Sequence, residues 1–245
     1  MSMTDPRRTP DRDPEAPASE PSLKINEIYL SIQGESTWAG LPCTFVRLTG
    51  CHLRCTYCDS EYAFTGGTRM PLGEIVEKIQ QLGCPVVEIT GGEPLLQAPV
   101  HDLMTMLLDK GMTVLLETSG ACDISTCDPR VIRIVDLKTP SSGQQHRNLM
   151  ENLDHLASND QVKFVIGDQQ DYEWSKQLLE KHDLVRRCDA VLFSPVHEQP
   201  TGTKIAGAPG MDPQSLAEWI IRDRIDVRFQ LQLHKFIWDP HARGV

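Results

Sequence analysis

The amino-acid sequence predicts an α/β protein built around a mostly parallel sheet covered on both faces. Three observations carry this. Short continuous runs of β-branched and other apolar residues recur along the chain, helix-spaced stretches alternate with them, and polar residues follow the runs at their carboxyl ends. Strand-like runs fall at residues 27–32, 44–48, 86–89, 113–116, 131–137, 161–166, 190–193 and 227–231. Helical spacing falls at 72–82, 100–110, 172–181 and 213–222, with Gly83 and Pro85 ending the first and Gly111 the second. Residues 141–148 are polar and include Gly143, which predicts a loop or a mobile lid. No internal repeat is evident.

Length and composition set the frame. The 245 residues suffice for one sizeable core, and 40% hydrophobic with 24% charged residues is ordinary for a globular chain. A net charge of −10 argues against non-specific nucleic-acid or anionic-membrane binding and favours a small-molecule substrate. No apolar run is long enough to span a membrane. Residues 1–22 are rich in Pro, Asp, Glu and Arg, lack the apolar core of a signal peptide, and read as a disordered tail ahead of one domain at 23–245. A cytoplasmic location follows as an expectation, and there the eight cysteines are thiols or metal ligands rather than disulfides.

In parallel sheets chemistry collects at the carboxyl ends of the strands. The polar groups just past the predicted strands are residues 90–93, 117–120, 136–138, 194–197 and 232–234. The densest chemistry lies in the loop after the second strand, where Cys51, Cys55 and Cys58 fall within eight residues. One loop can aim all three thiols at a soft metal centre. On spacing alone a structural zinc site stays open, although it needs a fourth ligand and His52 is awkwardly adjacent to Cys51. Cys43, Cys84, Cys122, Cys127 and Cys188 form no comparable cluster.

The C-x3-C-x2-C spacing, with Tyr57 before the last cysteine, resembles the radical S-adenosylmethionine (SAM) superfamily, and Gly91-Gly92-Glu93-Pro94 is similar to its GGE motif. Gln33-Gly34-Glu35, Gly40-x-Pro42, Phe45-x-Arg47, Gly50-Cys51, Cys58-Asp59-Ser60, Glu117–Gly120 and Gln232-x-His234-Lys235 narrow the resemblance to the 7-carboxy-7-deazaguanine synthases, in order and from about residue 25 onward. The resemblance implies a partial (β/α)6 barrel. It implies a 4Fe–4S cluster on Cys51, Cys55 and Cys58, and a magnesium ion at Ser60, where family members often carry Thr. SAM contacts would come from Tyr57, Asp59, Gly92, Glu93, Glu117, Asp136, Leu137, Lys138, Ser194 and His197. Substrate contacts would come from Ile32, Gln33, Gly34, Glu35, Arg47, Thr90, His234 and Pro240.

The implied reaction is radical ring contraction of 6-carboxy-5,6,7,8-tetrahydropterin to 7-carboxy-7-deazaguanine with loss of ammonia, on the route to queuosine. No residue is assigned as catalytic beyond positioning cofactor and substrate. The resemblance also implies an electron donor such as flavodoxin or ferredoxin, and a homodimer. The chemistry of the residues agrees: a pterin edge offers donors and acceptors to Gln33 and Glu35, and Arg47 suits a carboxylate. Taken singly, Arg47 reads as a strand-end surface charge and His234 as a core histidine. Two other classes stay in view. A radical SAM activase would place a glycyl radical on a partner protein, and a zinc-stabilised binding module would do no chemistry.

Overall fold

The computed structural model describes residues 20–240 and 242–245. Most of the expected tail, residues 1–19, lies outside the described residues. The fold starts slightly before the expected boundary: Pro21 O accepts the Leu72 N–H at 3.1 Å, and Ser22 opens the first strand.

The chain runs β1 (Ser22–Ile32), β2 (Pro42–Leu48), β3 (Thr68–Pro71), α1 (Leu72–Leu82), β4 (Val86–Gly91), α2 (Val100–Asp109), β5 (Thr113–Thr118) and β6 (Ile132–Asp136). It continues through β7 (Gln161–Ile166), α3 (Gln169–His182), α4 (Leu184–Arg187), β8 (Ala190–Pro195), α5 (Pro213–Asp223), β9 (Arg228–Phe229) and α6 (His234–Ile237). The strands form one sheet in the order β3-β1-β2-β4-β5-β6-β7-β8-β9, and it does not close. From β2 to β9 neighbours are parallel, giving the partial barrel. β1 is the exception, antiparallel to both β2 and β3.

Local chemistry accounts for the element ends. α1 buries Leu72, Ile75, Val76 and Ile79 and stops at Gly83, whose left-handed φ of 70° suits glycine. α5 opens on Asp212, whose carboxylate accepts the Ser215 N–H at 3.0 Å, with Pro213 in the first turn. β5 and β6 are joined without a helix, and β6 and β7 by short 3-10 turns, so the βα alternation is incomplete.

Alternation along the strands builds two layers. Val46, Leu48, Val87, Ile89, Val114, Leu116, Val135, Val162 and Phe164 face the helices in the main core. On the inner face, Phe45, Val86, Leu115, Ile134 and Leu192 plug the amino-terminal end of the barrel. Further along the same inner face the residues turn polar: Arg47, Glu88, Thr90, Glu117, Asp136 and Lys163.

Candidate functional site

These polar residues line a cleft of about 440 Å³ at the carboxyl ends of the strands. Cys51, Cys55 and Cys58 lie on its wall; none of the other five cysteines does. The cysteine loop is tied down on several sides. Gly50 N bonds Ala63 O at 2.8 Å, Thr56 Oγ1 donates to Ser141 O at 2.8 Å, and the Arg54 guanidinium lies 4.2 Å over the Phe64 ring. Residues 141–148, read from the sequence as a loop or a mobile lid, form a loop in this structure. They fold into short 3-10 turns, with Ser141 N and Oγ bonded to Asp171 and Ser142 N to Thr139 O.

The turn after β4 is pressed onto the cysteine loop. Glu93 N donates to Gly50 O at 2.8 Å, and a Cβ at Gly92 would stand 2.3 Å from that oxygen and 2.7 Å from Cys51 Cβ. Only glycine fits there.

Burial pushes the Cys58 thiol up to about 12 and raises Cys51 and Cys55 as well, while Lys138 pulls those two back. Such thiols ionise when a metal takes the place of the proton. Among the described residues no three His, Cys, Asp or Glu side chains converge on one metal-ion position. Structural zinc needs a fourth ligand, whereas a cubane takes three thiolates on three separate irons. The three thiols fit that cluster.

On the wall formed by β1, β2 and the turn Glu61–Phe64, Arg47 Nε is 2.7 Å from Glu27 Oε1 and a second nitrogen donates to Tyr29 OH at 3.1 Å. Tyr62 OH donates to the same Glu27 oxygen at 2.6 Å. The Gln33-Gly34-Glu35 turn meets the C-terminal segment: Leu233 N bonds Gly34 O at 3.0 Å, and a Cβ at Gly34 would stand 2.3 Å from His234 Nδ1. Asp59 pairs with Lys235 Nζ at 2.8 Å. Burial pushes the Asp59 carboxyl up, but the Lys235 charge outweighs it and leaves the group well below the usual range.

At the centre stands Lys163. Its Nζ lies 2.9 Å from Glu35 and 3.7 Å from Asp136, and it is hydrogen-bonded to Glu117. Burial raises Glu35, yet Lys163, His234 and Gln232 together bring it down to about 2. Burial, helped by Glu35, Glu88 and Asp136, lifts Glu117 to about 8 despite Lys163. Burial also lifts Glu88 to about 7 against its bond from Gln33 Nε2. Burial lowers His234.

The cleft brings together Ile32, Gln33, Gly34, Glu35, Arg47, Tyr57, Asp59, Ser60, Thr90, Gly92, Glu117, Asp136, Lys138, His197, His234 and Pro240. Three expected contacts fall elsewhere. Leu137 is fully buried on the helix side of the sheet, because strand parity turns it away from Asp136 and Lys138. Ser194 is buried within β8 beside Val165 and is not on the cleft wall; Val196 and His197 take that place. Glu93 is fully buried beneath the wall. Its carboxylate accepts Leu95 N at 3.0 Å, Thr118 Oγ1 at 3.0 Å, and Ser119 N at 2.8 Å. It ties β4 to β5 and leaves Thr118 and Ser119 to face the cleft.

Two further residues are more committed than the sequence implied. Gln33 Nε2 donates to Glu88 while its oxygen accepts from Glu35 N, and Arg47 already holds Glu27. Ser60 makes no side-chain cap to the turn that follows; its Oγ lies 3.8 Å from Cys58 Sγ. Sequence reasoning missed Glu27, Glu88 and Lys163. The signal for the last two was a charge in the middle of an apolar strand.

The chain belongs to the radical SAM superfamily, whose family model matches residues 45–181. Radical SAM enzymes work with a 4Fe–4S cluster and SAM, so this chain is an enzyme with those cofactors. Within the superfamily it belongs to the 7-carboxy-7-deazaguanine synthase family. The relative from Koribacter versatilis is 46% identical over 226 residues, covering 91% of this chain and all of that protein. That from Chlorobaculum tepidum is 44% identical over 232 residues, covering 93% and 100%. The fold is similar to that of QueE from Escherichia coli, with a TM-score of 0.66 and 22% identity over 86% of this chain and 94% of the other. Among the described residues no helix is long and apolar enough to cross a membrane.

Proposed function

We propose that this chain converts 6-carboxy-5,6,7,8-tetrahydropterin to 7-carboxy-7-deazaguanine with release of ammonia. One observation carries the reading: a single cleft holds the three-thiol loop and, on another wall, the fixed Arg47 with Glu35 and His234. When bound, the cluster and SAM supply the 5′-deoxyadenosyl radical that takes hydrogen from the pterin. The protein holds the reactants and keeps water out.

Cys51, Cys55 and Cys58 would hold the cluster. Gly92, Thr118, Ser119, Asp136 and Lys138, all on the cleft wall, would take SAM, with Tyr57, Asp59, Glu117 and His197 beside them. Asp136 Oδ1 is buried without a partner, while its other oxygen meets Lys138 Nζ at 2.8 Å, so the pair offers a polar ligand one acceptor and one cation. Arg47, pre-set by Glu27 and Tyr29, would meet the substrate carboxylate. Glu35, ionised at neutral pH, accepts from the amino edge of the pterin. Glu117, its carboxyl raised by burial and by the neighbouring Glu35, Glu88 and Asp136, lines the cleft against Lys163. Thr90, Ile32 and Pro240 complete the wall.

Ser60, free of a capping role, would place its hydroxyl on magnesium. That hard ion prefers oxygen and keeps several waters, so one protein ligand is compatible with it. The same reading includes a small electron-transfer protein such as flavodoxin or ferredoxin as reductant, and a homodimer as the working assembly.

The test is anaerobic turnover of the reconstituted protein with SAM, reductant, magnesium and the carboxylated tetrahydropterin. Deazaguanine product and ammonia in equal amounts support the reading. Reconstituted protein that cleaves SAM but leaves the pterin untouched refutes it.

A further inference from the structure

The chain continues past Pro240, and residues 242–245 line the same cleft. Within that segment the Arg243 guanidinium lies 4.1 Å over the Tyr62 ring. Arg47 lies 5.8 Å from the same ring centroid, so one aromatic side chain contacts both cations. Both guanidinium groups border the cleft.

The two cations of this wall are partnered differently. Glu27 is ion-paired with Arg47 at 2.7 Å and also accepts the Tyr62 hydroxyl, so the first cation is largely neutralised. Among the described residues no carboxylate pairs with Arg243; its contact is the face of Tyr62. A guanidinium stacked by its face keeps its N–H edge available for planar, two-point binding of an anion. Arg243 is therefore a cation of this wall whose guanidinium edge is held by no carboxylate among the described residues.

We propose that Arg243 is a specificity-determining residue: it supplies a second guanidinium for the substrate carboxylate and selects carboxylated over uncarboxylated pterins. This rests on the functional reading above and deepens it. Arg47 fixes the carboxylate deep in the cleft, and Arg243, positioned by Tyr62, covers it from the mouth. Tyr62 is a positioning residue, since it sets the guanidinium plane by stacking and steadies Glu27 through its hydroxyl.

The experiment measures equilibrium binding of 6-carboxypterin and of unsubstituted pterin, both fluorescent, to the reconstituted, SAM-loaded protein without reductant. It compares wild type with Arg243→Ala and Arg243→Glu, with SAM affinity measured on each as a control for folding. Loss of one partly exposed charge contact corresponds to about threefold to tenfold in affinity. Arg243→Ala is expected to weaken 6-carboxypterin by that factor and Arg243→Glu by more. Unsubstituted pterin and SAM are expected to bind as in wild type. In turnover, KM rises and kcat holds.

If wild type prefers the carboxylated pterin and Arg243→Glu keeps the same preference, Arg243 has no such role while the functional reading stands. Equal weakening of both pterins also overturns the proposal, because the segment is then only a cover. If wild type binds neither pterin, the functional reading fails and this inference fails with it.

Discussion

Replacing Lys163 by Met removes the ammonium that pairs with Glu35 and Glu117 and lies near Asp136 inside the barrel. The side chain is 6% exposed, so water does not substitute for the lost charge. Removing one partner of a buried ion pair costs about 3–5 kcal/mol. The lowered carboxyl of Glu35 points the same way, and Lys163 shares that effect with His234 and Gln232. Glu35 sits at about 2 instead of 4.5. That difference corresponds to roughly 3 kcal/mol of stability at neutral pH.

A depressed carboxyl stabilises the fold above its unfolded pKa, and that contribution fades as pH falls through the folded one. The gap between wild type and Lys163→Met should therefore narrow by about half between pH 7 and pH 3. Glu117, raised to about 8, works the other way: its contribution is greatest at low pH and fades as pH rises through 8. Losing Lys163 raises Glu117 further. Urea unfolding of the cluster-free proteins across this range reads both effects. A loss under about 1 kcal/mol at pH 7, or a gap that widens toward pH 3, would refute the reasoning.

Other outcomes follow from the same geometry. Replacing Cys51, Cys55 or Cys58 by Ala should abolish turnover and most bound iron, and Cys122→Ala should keep both; iron and sulfide analysis decides, and iron loss confined to Cys122→Ala would overturn the ligand set. Ser60→Ala should lower turnover and flatten its magnesium dependence, while Ser60→Thr preserves both; rates against magnesium concentration check this, and an unchanged dependence in the Ala variant removes Ser60 from the site. Glu93→Gln sets an amide against the donors of Leu95, Thr118 and Ser119 and should destabilise the fold by about 1–3 kcal/mol in thermal unfolding. Weaker SAM binding without a stability change would put Glu93 back on the cleft wall.

The carboxyl-end polar groups were legible because strand ends and motif spacing are local properties: Cys51, Gly92, Asp136 and His234 all fall in the cleft where the chain pattern pointed. α1 and β7 match their sequence-read bounds for the same reason. β3 escaped notice because Thr68–Pro71 is a short edge strand, paired only to β1 over four residues, with little apolar character. Leu137 and Glu93 were misplaced because motif membership says nothing about which way a side chain faces; parity sends the first outward, and dense hydrogen bonding pulls the second beneath the wall. Lys163 reaches Glu35 across 128 residues of sequence, a meeting brought about by the curvature of the open sheet. The Arg243–Tyr62 contact is equally non-local.

The central claim is that these residues run a radical ring contraction, and the family resemblance implies that the 5′-deoxyadenosyl radical is returned to SAM at the end of each cycle. It is tested most directly by counting molecules in one anaerobic reaction of the reconstituted protein. The account predicts 7-carboxy-7-deazaguanine in large excess over 5′-deoxyadenosine, with ammonia matching the deazaguanine. Accumulation of 5′-deoxyadenosine in step with SAM loss, with the carboxylated pterin unconsumed, would contradict it.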